Sequence, residues 1–515
     1  MSGAGVKTAG EAAGVRAAGN RGAGSVLAFD LGAGSGRAIV ARLANGRLEM
    51  EEIHRFPNDP VQVGAHFHWD ILRLLHEVKQ GILKAKHHLA GSGSGLRSIA
   101  IDSWAVDFGL LDRHGELLGN PYHYRDRQTD GMMEEVFSVM PKQEIFARTG
   151  IQFMQINTLY HLAAMKKRDA AALREAETFL MIPDLLRYFL TGERQCEWTN
   201  ATTTQLFNPV SGTWDRELMD RIGIPSRLFL PPVQPGTVIA PLSASVCDEL
   251  GVASCPIVAV GEHDTASAVV AVPAASPDFA YLICGTWSLL GTEVKQPVLT
   301  PQALQWNFTN EGGVGGTYRL LKNIMGLWLL QECRHAWEKE GSNYSFAEMV
   351  EMAKREPGFQ ALIDPDDPLF LNPTHMPDAI RRYCERTGQP APQTHGAFVR
   401  CVTESLALKY RFVLERTERL SGAAYEGLHM VGGGINNELL CQFTANAIGR
   451  PVFAGPVEAS AIGNVLVQWM ALGELVGIGE ARNLVRSSFP LRTYEPRERE
   501  AWDEAYGRFC ALIGE

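Results

Sequence analysis

The chain has 515 residues, enough for two to four domains and a cleft between them. Its 45% hydrophobic and 21% charged residues are the mix of an ordinary globular protein. The formal net charge of -10, with Lys and Arg spread thinly, excludes a nucleic-acid partner held through its phosphate backbone. It leaves nucleotide binding open, because backbone amides and helix N-termini can hold phosphates locally.

The nine cysteines are scattered without a CxxC pair, which argues against a structural zinc site and a disulfide framework. No apolar run approaches the roughly 18 residues that span a bilayer. Residues 1–24, rich in Gly and Ala, read as a disordered extension, and the chain as cytoplasmic, with no membrane partner.

Ser25 to Asp30 is an apolar run ending on a carboxylate and reads as a buried strand. Leu31-Gly-Ala-Gly-Ser-Gly-Arg37 follows and leads into a second strand, Arg37 to Leu43, which turns at Asn45-Gly46 into a third. A dinucleotide fold needs a helix after such a turn, and a Walker loop needs Gly-Lys-Ser/Thr, so neither is present. The glycines let backbone amides approach an anion, and Asp30 could hold Mg²⁺ through water; a plain hairpin would use the same residues.

A second strand pair is expected over Ser98–Trp104 and Val106–Leu111, then helices through much of 128–190. Pro256 to Gly261 reads as a buried strand, followed by Glu262-His263-Asp264-Thr265 at a helix start. Asp264 stands where an N-cap belongs; it also stands where open α/β sheets place ligand groups, and could accept a hydroxyl proton. After a lobe boundary near 273–278, Ala280 to Gly291 repeats strand, Gly-bearing turn and return strand. Gly432-Gly-Gly434 follows a further strand, as a tight turn or a surface for a flat ligand such as adenine.

Taken in order, these segments resemble the FGGY carbohydrate kinases of the actin–hexokinase superfamily. The resemblance also covers Ile101-Asp-Ser-Trp-Ala-Val-Asp-Phe108, Tyr124-Arg-Asp126, Thr199 to Gln205, Leu321 to Gln331 and Gly455 to Ser460, within roughly residues 25–480. It implies an α/β, ribonuclease H-like fold with two similar mixed-sheet lobes flanking a cleft. The first lobe (25–275) would carry sugar, phosphate and base, and the second (276–480) the nucleotide, with a helical tail at 481–515. The implied partners are Mg²⁺, ATP and a small ketose, L-rhamnulose, in a monomer or weak homo-oligomer.

Residue by residue, the resemblance makes Asp264 the general base, with Ala105, His263, Thr265 and Asn323 at the sugar. Ala33, Gly34, Ser35, Gly36 and Arg37 would contact the ATP phosphates, Thr286 would do so from the other lobe, and Gln331 and Gly433 would meet the nucleotide. Asn323 and Gln331 are expected on one helix, about 12 Å apart along its axis. Two positions depart from the usual pattern: Ala105 stands where Gly is typical, and Ala33-Gly34-Ser35 where Ala-Ser-Ser is frequent. Another ketose (fuculose or xylulose) or a sugar-independent conformational ATPase are the alternative readings.

Overall fold

The computed structural model describes residues 24–91 and 95–514; all but Gly24 of the expected N-terminal extension lies outside them. The first strand, Ser25–Leu31, is buried at every position and sits inside a six-stranded sheet, as an uninterrupted apolar strand should. It pairs antiparallel with Ser35–Ala44, which pairs antiparallel with Arg47–Pro57. On its other side it runs parallel to Leu96–Ser103, followed by Pro256–Ala259 (parallel) and Thr237–Pro241 (antiparallel).

The second half repeats this plan. Ala280–Cys284 pairs antiparallel with Trp287–Val294, which pairs with Tyr318–Met325, and then comes Thr309–Gly312. Its other neighbours are Leu428–Val431 and Val452–Ala454, both parallel, and then Arg492–Tyr494, antiparallel. The expected pair of similar mixed-sheet lobes is therefore present, although the seven-stranded second sheet has one strand more than the first. Residues 481–515 are more than a helical tail: Arg492–Tyr494 forms the edge of this sheet, and only then does the helix Arg499–Leu512 begin.

Helix Ile71–Leu89 covers the first sheet with Ile71, Leu74, Val78, Ile82 and Ala85, spaced three and four apart on one face. Residues between the strands ending at Leu111 and starting at Thr237 build an inserted, mostly helical unit with its own core around Phe146, Leu159, Phe179 and Leu218. The second lobe packs around the long helix His395–Ser421, which Thr394 caps by accepting from the Ala397 amide.

The two lobes also share an apolar core. Val26, Ala28 and Ala100 of the first sheet lie with Tyr281, Leu321 and Val431 of the second, around Val269 and Leu466. Helix Ala459–Ala471, from the second half, lies against the strands of the first lobe. Asn464 donates to Asp102 Oδ2 at 2.6 Å, and Gln468 donates to Leu27 O at 3.2 Å and accepts from Ser98. It crosses helix Asp264–Val270 so closely that a Cβ on Gly463 would stand 1.7 Å from Ser267 O. Among the described residues no helix is long and apolar enough to cross a membrane.

Because backbone oxygen cannot yield as a side chain can, Gly463→Ala should destabilise the protein by about 3 kcal/mol. Gly507→Ala, in a helix with open space at that point, should stabilise it by up to about 1 kcal/mol. Urea unfolding of the two variants beside the parent chain checks both signs.

Candidate active site

The parallel strands Ser25–Leu31, Leu96–Ser103 and Pro256–Ala259 are neighbours, so their carboxyl ends open at one place. Asp30 and Asp102 stand one residue before the ends of their strands, and Asp264 lies just beyond the third. From the facing sheet come Gly285-Thr286, after Ala280–Cys284, and Gly432-Gly433, after Leu428–Val431. Between them is a cavity of about 290 Å³, lined from both lobes. Ligands of open α/β sheets bind at this kind of site.

Asp30, Ala33, Arg37, Ala105, His263, Asp264, Thr265, Thr286, Asn323 and Gly433 all line this cavity. Gly34, Ser35, Gly36 and Gln331 do not line it, for different reasons. Gly34 is the exposed tip of the turn and Ser35 opens the next strand. Gly36 is packed: a Cβ there would lie 2.3 Å from the Phe56 ring. Gln331 belongs to helix Trp328–Lys339, whereas Asn323 is on strand Tyr318–Met325, so the expectation of one shared helix is corrected. Gly326 breaks the run, because a side chain there would collide with the backbone and hydroxyl of Ser288.

Asp264 is the first residue of helix Asp264–Val270, and the N-cap is His263, one position earlier than expected. Asp264 caps through no side-chain bond of its own; it accepts a hydrogen bond from the Thr265 hydroxyl at 3.2 Å, and its side chain is 26% exposed toward the cleft. Burial raises its carboxyl above the usual aspartate value, against the pull of His263, and the charge of Asp30 raises it further. A carboxylate so placed is a better proton acceptor than one in open water.

His263 is held from the second lobe. Arg319 Nη2 lies 3.0 Å from its Nδ1. Nε2 lies 3.5 Å from Asp264 Oδ1. Glu311 completes the cluster, 3.3 Å from both Arg319 Nη2 and His263 Nδ1. Burial opposes its charge, but the neighbouring His263 and the Arg319 charge hold its carboxyl below the ordinary range.

Asn323 is fixed from the first lobe. Gln152 accepts from its backbone N–H at 2.9 Å and donates to its carbonyl at 3.1 Å, so one amide side chain pairs with the strand as another strand would. Asn307 pairs with the backbone of Phe153 in the same way, at 2.8 and 3.2 Å. Arg125 of the first lobe stacks over Trp328 of the second at 4.1 Å.

Asn58 ties the Gly32–Ser35 turn, donating from Nδ2 to Gly32 O and from its backbone to Gly34 O. Arg37 bridges the lobes, with Asp30 at 2.6 Å on one side and Glu458 on the other. Of the three glycines at 432–434, two are explained by packing: side chains on Gly432 and Gly434 would meet Cys284 at 2.9 and 2.3 Å. Gly433 faces open space in the cleft.

The wall of the cavity holds a strained residue. Val106, a β-branched residue, is left-handed with φ 68°, a conformation that costs on the order of 1–2 kcal/mol. Beside it Asp107 is 2% exposed, and burial pushes its carboxyl up to about 7 despite hydrogen bonds from Trp69, Trp104 and the Tyr124 amide. Asn58, Gln152, Glu311 and Arg319 carry no signal in the sequence, and Asp107 appears there only as part of the Ile101–Phe108 string, with no role assigned. Each acts through partners that are distant in the chain or through a bond that no local pattern announces.

The chain is similar to known proteins over most of its length. Residues 25–271 match the N-terminal domain, and residues 280–472 the C-terminal domain, of the FGGY family of carbohydrate kinases. Among curated relatives, the rhamnulokinase of Bacteroides thetaiotaomicron is 47% identical over 94% of this chain and 98% of its own. That of Halalkalibacterium halodurans is 43% identical over 92% and 99%. Among solved structures, a ligand-bound xylulose kinase from Lactobacillus acidophilus has a TM-score of 0.79 at 17% identity, covering 95% of this chain and 98% of its own. A glycerol kinase from Plasmodium falciparum with ADP has a TM-score of 0.72 at 15% identity, over 94% and 97%. The matched domains span most of the chain in the order its two lobes are built, and the chain therefore belongs to the FGGY family of carbohydrate kinases.

Proposed function

We propose that this sugar kinase transfers the terminal phosphoryl group of ATP to the O1 hydroxyl of L-rhamnulose, giving ADP and L-rhamnulose 1-phosphate, with Asp264 as general base. The observation that carries the reading is the Asp264 carboxylate, raised by burial and opening into a cleft whose far side carries Thr286 and Gly433. Curated relatives named rhamnulokinase, 40–47% identical over nine-tenths of the chain, support the choice of sugar.

Asp264 would take the O1 proton as the oxygen attacks, and His263, with Nε2 3.5 Å from Oδ1, would keep the carboxylate turned toward the sugar. Asn323 would bind a sugar hydroxyl from the second lobe, its own position set by Gln152. Ala33, Arg37 and Thr286 would meet the phosphates, and Gly433 would leave room for the adenosine. Gly34, Ser35, Gly36 and Gln331 keep their proposed nucleotide contacts only if the lobes or the turn shift on binding.

The family's ATP chemistry implies a divalent cation, usually Mg²⁺. Among the described residues, no three His, Cys, Asp or Glu side chains gather as a metal cage. Asp30 is nonetheless suited to Mg²⁺, which keeps most of its waters and is held by one or two carboxylates plus phosphates. It lines the cleft, and Asp102 beside it has a buried Oδ1 without a hydrogen-bond partner. When bound, the ion would neutralise charge on the phosphates.

Coupled ADP release should require L-rhamnulose and exceed that with xylulose or fuculose; hydrolysis indifferent to any sugar would instead favour a conformational ATPase. Asp264→Asn should lower turnover by about 10²–10⁴-fold and leave the KM for ATP nearly unchanged. Protonation disables a base, so activity should fall as pH drops through the Asp264 pKa. The acid limb of kcat/KM for the sugar should lie above the ordinary aspartate value of 3.8 and be absent from the residual activity of the Asn variant.

A further inference from the structure

We propose that Asp107 is a positioning residue for the sugar: it clamps the Trp104-Ala105-Val106 turn, whose side chains form the cavity wall on which the ketose lies. The inference rests on the kinase reading above and adds the residue that sets the shape of its sugar end.

Asp107 does not itself line the cavity, but Trp104, Ala105, Val106 and Tyr124 do. A single oxygen, Oδ2, accepts from three separate segments: Trp69 Nε1 at 2.5 Å, Trp104 Nε1 at 2.9 Å and the Tyr124 amide at 3.2 Å. The Trp69 ring packs at a tilt against that of Trp104 with centroids 4.2 Å apart, so fixing one indole fixes the other. The turn is held at further points. Asp107 N donates to Ala105 O at 3.0 Å, and the Thr158 hydroxyl donates to Val106 O at 2.6 Å. Ile182 N donates to Asp107 O at 3.2 Å.

Two features require such a clamp. A left-handed β-branched residue relaxes unless its surroundings hold it, and here the held residue points its side chain at the ligand space. An apolar side chain would fill the Asp107 site without the cost of burying a carboxylate. It could not gather three donors from three segments at one point. Carboxylate and strain thus serve one outcome, a rigid apolar wall of Trp104, Ala105 and Val106 at the sugar end of the cleft. Ala105, in place of the usual Gly, adds its methyl to the same wall.

The test is steady-state kinetics of the full chain with ATP and ketose varied separately, together with melting temperatures, for Asp107→Ala, Asp107→Asn and Val106→Gly. Asp107→Ala should raise the KM for the ketose by at least about tenfold and change that for ATP less than about twofold. Asp107→Asn keeps an acceptor oxygen, so its rise should be smaller, about threefold. Val106→Gly relieves the left-handed strain at the cost of a buried side chain; it should fold and raise the ketose KM about fivefold. If Asp107→Ala does not fold, Val106→Gly and Asp107→Asn decide. A folded Val106→Gly and Asp107→Asn with unchanged ketose KM, or with equal changes for both substrates, overturn the proposal while leaving the kinase reading intact. A parent chain that phosphorylates no ketose overturns both.

Discussion

Helices Asp264–Val270 and Ala459–Ala471 come from different halves of the chain and cross where Gly463 meets the Ser267 carbonyl. Each starts at the cleft. Asp264 leads one, and Ala459 and Ser460 lead the other, all lining the cavity. The separation between the proposed base and the nucleotide side of the cleft is thus set by the closest approach two helices can make. A larger residue at 463 would move chemistry as well as packing, because the same contact fixes both.

Around this crossing the lobes are tied by polar groups that each have a stated partner. Gln152 pairs with the strand carrying Asn323, Arg319 and Glu311 hold His263, and Asn464 holds Asp102. None of these is an exposed ion pair, which would contribute little. They are buried donors and acceptors whose loss leaves a partner unsatisfied, so they fix geometry more than they add stability. Phosphoryl transfer depends on such placement, because the attacking oxygen, the phosphorus and the base must align while water stays out.

Much of this architecture is legible in the amino-acid sequence. Strand Ser25–Leu31, the hairpin at Asn45-Gly46 and the repeat of strand, turn and strand at Ala280 follow from local pattern, because turn glycines and apolar runs carry their own signal. His263-Asp264 stands out for the same reason, at a junction of strand and helix. The segment carrying Asn323 reads as helix because Leu320 to Leu330 is apolar almost throughout, and period alone cannot tell a buried strand from a buried helix there. The break at Gly326 depends on Ser288, far away in the chain. Gln152, Glu311 and Arg319 are invisible in the sequence, and the role of Asp107 within the Ile101–Phe108 string is too, because their meaning lies in partners that only the fold brings near. The strain at Val106 leaves no trace either, since valine is among the last residues expected in a left-handed conformation.

The central claim is that the Asp264 carboxylate accepts the proton of the hydroxyl that becomes phosphorylated. A crystal structure with a ketose and a non-hydrolysable ATP analogue tests it most directly. The account predicts an Asp264 oxygen about 3 Å from the sugar O1, with O1 in line with the terminal phosphorus. A carboxylate turned away to solvent, with O1 hydrogen-bonded to some other residue, would contradict it.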